Sequence, residues 1–362
     1  MATQFHQLEV KDIRKETADC ISVSFIIPPQ LKETFAFTHG QNITIKKIID
    51  GEELRRSYSI CSSPLDNELR IAVKKVTGGK FSAWASNHLK KGSVLEILSP
   101  TGKFYTDLNA ASKKNYLAFA AGSGITPLLS IIKTTLLTEP GSHFMLVYGN
   151  KSRASIIFKE ELEALKNKFI SRFNVVHILS REKAETPLND GRIDAEKCGK
   201  IFQHLIDIKN CDEFFLCGPG EMIFCVKDFL EEKGIDKKKM HFELFTVPGQ
   251  RMAAVNSFEP AVGKNAETKT SEVTIKSNGV SFNFNLSYYG ETILNAGLRL
   301  GADLPFACKG GVCATCRAKL LAGQVSMDNN YALQSDEIQN GYILTCQSHP
   351  RSPVVSIDYD HM

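Results

Sequence analysis

The stretch Cys308-Lys-Gly-Gly-Val-Cys313-Ala-Thr-Cys316, with Cys346 thirty residues further on in Leu-Thr-Cys-Gln, constrains this chain most. Three cysteines separated by four and then two residues, closed by a distant fourth, have the plant-type ligand spacing of a 2Fe-2S cluster. Such a loop has to curl over two irons to present three thiolates. Gly310 and Gly311 permit the curl, because glycine reaches positive φ without steric cost. Backbone amides of the loop are then available to donate to the sulfurs. A structural zinc site usually pairs its cysteines in C-x2-C knuckles, and only one such pair is present. Ten cysteines in 362 residues are too sparse for a secreted disulfide scaffold. Cys308, Cys313, Cys316 and Cys346 are therefore the candidate metal ligands.

A chain of this length has room for two or three domains, and 43% hydrophobic with 23% charged residues is an ordinary globular mix. A cluster assembled under reducing conditions implies a cytoplasmic location. The opening residues carry no basic segment followed by an apolar one, and no run of eighteen apolar residues occurs, so neither secretion nor membrane spanning is expected. A net charge of +4 without basic runs interleaved with aromatics gives no case for nucleic acid.

Upstream of the cysteines the periodicity changes twice. Short alternating runs at Gln7–Ile13, Ile21–Ile27, Asn42–Ile49, Ser57–Ile60, Leu69–Val76 and Val94–Ile97 predict an antiparallel β-barrel with one helix at Phe81–Leu89. From Asn115 a βαβ series takes over, with strands at Tyr116–Ala120, Phe144–Tyr148, Asn174–Leu179 and Glu213–Cys217. Helices are expected at Pro127–Leu137, Lys159–Lys168, Ala195–Leu205 and Glu221–Lys233, which gives a doubly wound α/β parallel sheet. Between Gly249 and Thr270 the periodicity is lost, as in a linker. Beyond it, Ser277-Asn278-Gly279 reads as a hairpin turn between Glu272–Ile275 and Val280–Leu286. A helix at Glu291–Gly297 and strands at Arg317–Leu321 and Val354–Tyr359 complete a small α+β domain of β-grasp type. The expected division is 1–110 barrel, 111–248 nucleotide domain, 249–270 linker and 271–362 cluster domain.

Three motifs upstream bear on chemistry. Arg56-Ser57-Tyr58-Ser59 lies on a barrel strand, and Gly78-Gly79-Lys80-Phe81-Ser82 opens a helix. A guanidinium fork and a helix N-terminus are both anion sites, and together they suit a pyrophosphate; Tyr58 is placed to lie against an aromatic ring and Ser59 to donate at its reactive edge. The second motif, Ala121-Gly122-Ser123-Gly124-Ile125-Thr126-Pro127, follows the first parallel strand. It carries Pro127 where the dinucleotide fingerprint has its third glycine, and no acidic residue closes the second strand, which disfavours a plain NAD dehydrogenase. Ser180-Arg181 instead offers a hydroxyl and a guanidinium suited to a ribose 2'-phosphate, favouring NADPH over NADH. The third motif, Cys217-Gly218-Pro219, ends a strand at the edge where ligands of parallel sheets sit, so Cys217 is expected to face a nicotinamide.

These motifs taken together resemble the ferredoxin-NADP reductase superfamily, and the resemblance spans essentially the whole chain. The order of flavin, nucleotide and C-terminal ferredoxin domains is similar to that of reductase components of multicomponent di-iron monooxygenases. The resemblance implies FAD, with Arg56 and the Gly79–Ser82 turn (Gly79, Lys80, Phe81, Ser82) on its phosphates, Tyr58 stacked on the isoalloxazine and Ser59 near N5. Ser57, Val73 and Lys74 are taken as cofactor-binding with them. Gly122, Gly124, Thr126, Pro127, Cys217, Gly218 and Pro219 belong to the nucleotide side, with Thr126 beside flavin and nicotinamide. Glu243 and Phe245 fall where relatives end the nucleotide domain near the flavin. Ser59, Thr126, Cys217 and Glu243 are the catalytic candidates. A hydride gives two electrons and a 2Fe-2S cluster takes one at a time, so a flavin between them reconciles the count. The implied acceptor is a di-iron oxygenase or another protein, such as a desaturase. A free-standing flavin reductase and a redox-sensing cluster protein are the competing readings, and neither uses all three motif sets.

Overall fold

The computed structural model describes residues 4–184, 186–245 and 269–361. These fall in two compact units, one of them His6–Phe245 and the other carrying the carboxyl-terminal residues.

The first unit opens with β1 (Phe5–Thr17), β2 (Cys20–Ile26), β3 (Asn42–Ile49), β4 (Glu52–Ser59), β5 (Leu69–Lys74), helix α1 (Lys80–His88) and β6 (Val94–Thr101). The six strands form one sheet in the order β4-β3-β6-β1-β2-β5. An antiparallel bridge between Ile60 and Ile71, just past β4 and within β5, joins the two ends and closes the barrel. Its interior is filled by Leu8, Val10, Val23, Ile43, Ile45, Ile71 and Ile97, with Phe81 and Ala85 of α1 packed against them. Several boundaries move from the sequence expectation: β1 and β6 run four residues further, to Thr17 and Thr101, and two other shifts have a local cause. β4 starts five residues before Ser57, because its charged residues Glu52 and Glu53 are exposed on an end strand while Leu54 turns inward. β5 stops at Lys74, because the chain turns through Gly78, at φ +75°, to start α1.

The same unit continues with β7 (Asn115–Ala121), α2 (Ile125–Thr138), β8 (His143–Asn150), α3 (Lys159–Lys168), β9 (Phe173–Leu179), α4 (Ala195–His204), β10 (Glu213–Gly218), α5 (Gly220–Glu232) and β11 (Met240–Leu244). The sheet is parallel in every pairing, in the order β11-β10-β7-β8-β9. Its central strands β7 and β10 are near-continuous apolar runs because helices cover both faces. Chain order reverses between β7 and β10, which creates the crevice at their carboxyl ends where open α/β sheets bind ligands. Barrel and sheet share a core: Cys20, Cys61 and Ala72 pack with Leu128, Leu129 and Tyr148. Ser130 Oγ donates to the Ser62 carbonyl at 2.7 Å, tying α2 to the barrel.

The second unit contains β12 (Thr270–Ser277), β13 (Val280–Ser287), α6 (Ile293–Arg299), β14 (Arg317–Ala322), β15 (Val325–Met327), α7 (Ser335–Gln339), β16 (Tyr342–Leu344), β17 (Ser348–Pro350) and β18 (Val354–Asp358). A mixed sheet runs β13-β12-β18-β14-β16, with α6 packed on it, and β15 pairs with β17 as a separate ladder. This is the α+β arrangement expected from the sequence. The hairpin turns at Asn278 and Gly279, both at positive φ. The linker expected at 249–270 lies, as far as residue 268, outside the described residues, and Thr270 already belongs to β12.

Candidate functional site

On the barrel, the end of β4 runs from exposed to buried. Arg56 is exposed, Ser57 Oγ donates to Asn42 Oδ1 at 2.7 Å, Tyr58 is half-buried and Ser59 is buried. The Tyr58 ring stands 5.6 Å from that of Phe81, so α1 braces it. Val73 is buried and Lys74 half-buried on β5. At the start of α1, Ser82 Oγ accepts from the Val76 amide at 3.2 Å and donates to the Gly79 carbonyl at 3.2 Å. A Cβ on Gly79 would fall 2.4 Å from Val76 Cγ2 and 2.6 Å from Ser82 Oγ, so the turn is closed to any side chain there. Beside it opens a cleft of about 650 Å³ lined by Asp19, Lys75, Gly78, Gly79, Lys80 and Ala83. Lys80 pairs with Glu52 at its rim. Cleft, glycine turn and free helix N-terminus fit a flavin diphosphate. Asp19 and Lys75 had no motif to mark them: Asp19, in the β1–β2 turn, joins the cleft only through the fold, where its carbonyl accepts from the Lys75 amide just past β5.

At the sheet's switch point the turns after β7 and β10 interlock. A Cβ on Gly124 would lie 2.0 Å from the Cys217 carbonyl oxygen, and one on Gly218 would lie 2.8 Å from Met222 Cε and 3.1 Å from the Ala121 amide. Gly122 has φ +54°, and its carbonyl accepts from Tyr148 Oη at 2.9 Å. Thr126 is buried, with Oγ1 donating to the Ser123 carbonyl at 3.0 Å, and Pro127 sits in the first turn of α2, where its missing N–H costs nothing. Pro219 precedes α5 as its N-cap.

Three of the four catalytic candidates meet at one point. Cys217 pairs in register with Glu243 on β11, and Ser59 Oγ donates to Glu243 Oε2 at 3.1 Å. Burial pushes the Glu243 carboxyl up to about 7, against the opposing pull of the Ser59 hydroxyl. Burial, and then the Glu243 charge, pushes the Cys217 thiol well above its ordinary range. Cys217 is fully buried beneath Gly124 and is a neutral thiol there. Phe245, two residues past Glu243, is exposed. At the far end of the same edge, Ser180 and Arg181 are both exposed, held by backbone bonds to the Asn150 and Lys151 carbonyls at 2.9 and 2.8 Å.

In the second unit the four cysteines of the opening motif are brought together, with Cys316 and Cys346 in the domain's core. Cys313, Cys316 and Cys346 are buried and Cys308 is exposed. Among the described residues no three His, Cys, Asp or Glu side chains converge as the chelate of a single ion. The sulfurs fall instead into two pairs. Hydrogen bonding from Cys313, then from the Gly310, Val312 and Cys313 amides, lowers Cys308. Hydrogen bonding from Cys316, then from the Gly311 amide and Gln347, lowers Cys346. Gly310 N–H stands 3.3 Å from Cys308 Sγ, and Gly311 has φ +75° with an Asn329 carbonyl 2.9 Å from where a Cβ would be. Two neighbouring thiol pairs with backbone amide donors around them fit a two-iron cluster better than a single zinc.

A closed antiparallel barrel, a parallel sheet with its switch point against that barrel, and a small cysteine-bearing α+β domain define a modular flavin and iron-sulfur oxidoreductase. The chain matches the oxidoreductase FAD-binding domain family over residues 7–105, the oxidoreductase NAD-binding domain over 119–228 and the 2Fe-2S iron-sulfur cluster binding domain over 275–351. It is 43% identical to one of the protein components of the 1,2-phenylacetyl-CoA epoxidase of Escherichia coli, over 99% of this chain and 98% of that one. It is 32% identical to the ferredoxin reductase component of 3-ketosteroid-9-alpha-monooxygenase from Rhodococcus rhodochrous, over 97% and 96%. The solved structure of phthalate dioxygenase reductase shares the fold along 98% of both chains, with a TM-score of 0.59 at 23% identity. The chain belongs to the ferredoxin-NADP reductase superfamily, in the branch with a C-terminal plant-type ferredoxin domain. It is an oxidoreductase whose cofactors are FAD, a nicotinamide dinucleotide and a 2Fe-2S cluster. No helix among the described residues is long and apolar enough to cross a membrane.

Proposed function

We propose that this protein is the NADPH-dependent reductase of a di-iron oxygenase that epoxidises phenylacetyl-CoA, working in the cytoplasm. Bound FAD and cluster supply the conversion of a two-electron hydride into single electrons; the chain supplies alignment, water exclusion and docking. The Ser59–Glu243 hydrogen bond beside Cys217 carries the reading, because it joins the barrel to the carboxyl edge of the parallel sheet where flavin and nicotinamide have to meet. Ser59 and Thr126 orient the reacting rings, Tyr58 backs the flavin, and Arg56 with the Gly79–Ser82 turn holds its diphosphate. Glu243, poised near neutrality, keeps a proton available beside Ser59. The Gly122–Pro127 turn and Cys217–Pro219 seat the nucleotide, and Ser180 with Arg181 reads its 2'-phosphate. Cys308, Cys313, Cys316 and Cys346 ligate the cluster. The division at 110, 248 and 270 separates these roles into three domains and a linker. Support for the substrate is the 43% identity to a component of a phenylacetyl-CoA epoxidase.

Mixing the purified protein with NADPH, phenylacetyl-CoA and the oxygenase component of a phenylacetyl-CoA epoxidase tests the proposal. Substrate conversion coupled to NADPH consumption is expected. Rapid NADPH oxidation with free dyes and no coupled conversion would replace the partner and leave the electron path standing.

A further inference from the structure

Thr345 lies between the two halves of the Cys316–Cys346 pair. It precedes Cys346 in the chain, and both its backbone N–H, at 3.2 Å, and its hydroxyl, at 3.0 Å, donate to the Cys316 carbonyl oxygen. A hydroxyl has a single hydrogen. With that hydrogen given to Cys316, the 2.5 Å contact between Thr345 Oγ1 and Tyr359 Oη has one sense only: the phenol donates to the threonine. Thr345 and Tyr359 are both fully buried, and Tyr359 packs in the same core as Cys316 and Cys346. Its own backbone N–H is fixed on the Lys276 carbonyl at 2.9 Å, one residue past β18. Two O–H dipoles are thus lined up head to tail, hydrogens towards the ligand-bearing peptide, in a region without solvent to screen them.

We propose that Tyr359, acting through Thr345, is a positioning residue that tunes the iron-sulfur centre towards its reduced state, an inference that rests on Cys316 and Cys346 being cluster ligands. Reduction adds negative charge, and hydrogens aimed at a ligand peptide in a low-dielectric core favour it. Hydrogen-bond chains in such surroundings polarise one another, and hydrogen bonding and solvent exposure are among the main determinants of the potential of these clusters.

Redox titration of the purified holoprotein, followed by the cluster's electron paramagnetic resonance signal, tests this. Tyr359→Phe keeps the ring and removes the outer hydroxyl. It is expected to retain full iron, sulfide and flavin while the one-electron equilibrium moves up to about tenfold against reduction, which is a midpoint up to about 59 mV more negative. Thr345→Val should move the same way, and Thr345→Ser, which keeps the hydroxyl, should stay at the parent value. An unchanged potential in a fully loaded Tyr359→Phe protein would overturn the proposal. So would loss of the cluster from that variant with flavin intact, since Tyr359 would then be a brace for the fold. The ligand reading stands or falls separately, on the iron content of Cys346→Ser.

Discussion

Ser59 at the end of a barrel strand donates at 3.1 Å to Glu243 on the last strand of the parallel sheet, a bond between residues 184 positions apart. It sits where the barrel meets the sheet's switch point, so a change on either side is felt at the proposed flavin–nicotinamide contact. The raised carboxyl of Glu243 makes the site sensitive to pH near neutrality.

That sensitivity has a definite sign. Glu243 goes from an ordinary value of 4.5 to about 7 in the folded chain, mainly through burial. The folded state therefore holds a proton that the unfolded state has released, and the stabilisation is present below pH 4.5 and lost as the pH rises through about 7. Glu243→Gln removes the titration. Thermal melts of the two proteins between about pH 5 and 8 should show the parent losing Tm relative to the variant as the pH rises. Parallel curves would mean that Glu243 does not titrate in this range.

Arg181→Ala tests nucleotide selection. A charge-assisted hydrogen bond to phosphate is worth about 1.5 to 3 kcal/mol, so kcat/KM for NADPH should fall by about tenfold to a hundredfold with NADH little changed. Equal losses for both nucleotides would show that Arg181 reads something other than the 2'-phosphate.

Two glycines on the nucleotide side should respond in opposite directions. A Cβ at Gly124 meets the Cys217 backbone at 2.0 Å, whereas one at Gly199, within α4, meets nothing within 4 Å. Gly124→Ala should lower stability by about 1 to 3 kcal/mol, as overpacking does. Gly199→Ala should raise it by about 0.5 to 1 kcal/mol, through helix propensity. Urea denaturation midpoints of the two variants measure both, and a neutral Gly124→Ala would show that the two turns can part without cost.

Much of this was legible in the chain because it is local. The run Asn42–Ile49 and the helix Lys159–Lys168 occupy the positions that their periodicity indicates. The helix after Glu291 starts instead at Ile293, because Thr292 caps it by accepting from the Asn295 amide. β11 escaped pattern reading: its five residues alternate His and Glu with apolar ones and carry no turn signal of their own. The three-residue ladder of β15 with β17 is too short for any periodicity. The pairing of Ser59 with Glu243 and the chain from Tyr359 to Cys316 are products of tertiary packing, which no local spacing encodes. The cysteine set was legible for the opposite reason, since metal geometry imposes its spacing on the sequence itself.

The final expectation concerns the exit of electrons. The barrel and nucleotide parts share one hydrophobic core within His6–Phe245, while the cluster domain has a separate core built on Val273, Ile275, Leu304, Leu344 and Ile357. Neither core borrows residues from the other, so a chain ending before residue 271 should fold, bind FAD and accept hydride. Stopped-flow mixing with NADPH should show flavin reduction at close to the parent rate, and two-electron dyes should still be reduced. Delivery to the oxygenase should vanish, because the group proposed to hand on single electrons to a protein partner resides in the deleted domain. Sustained oxygenase turnover by the shortened chain would make the flavin the exit port and leave the cluster domain without the role argued for it.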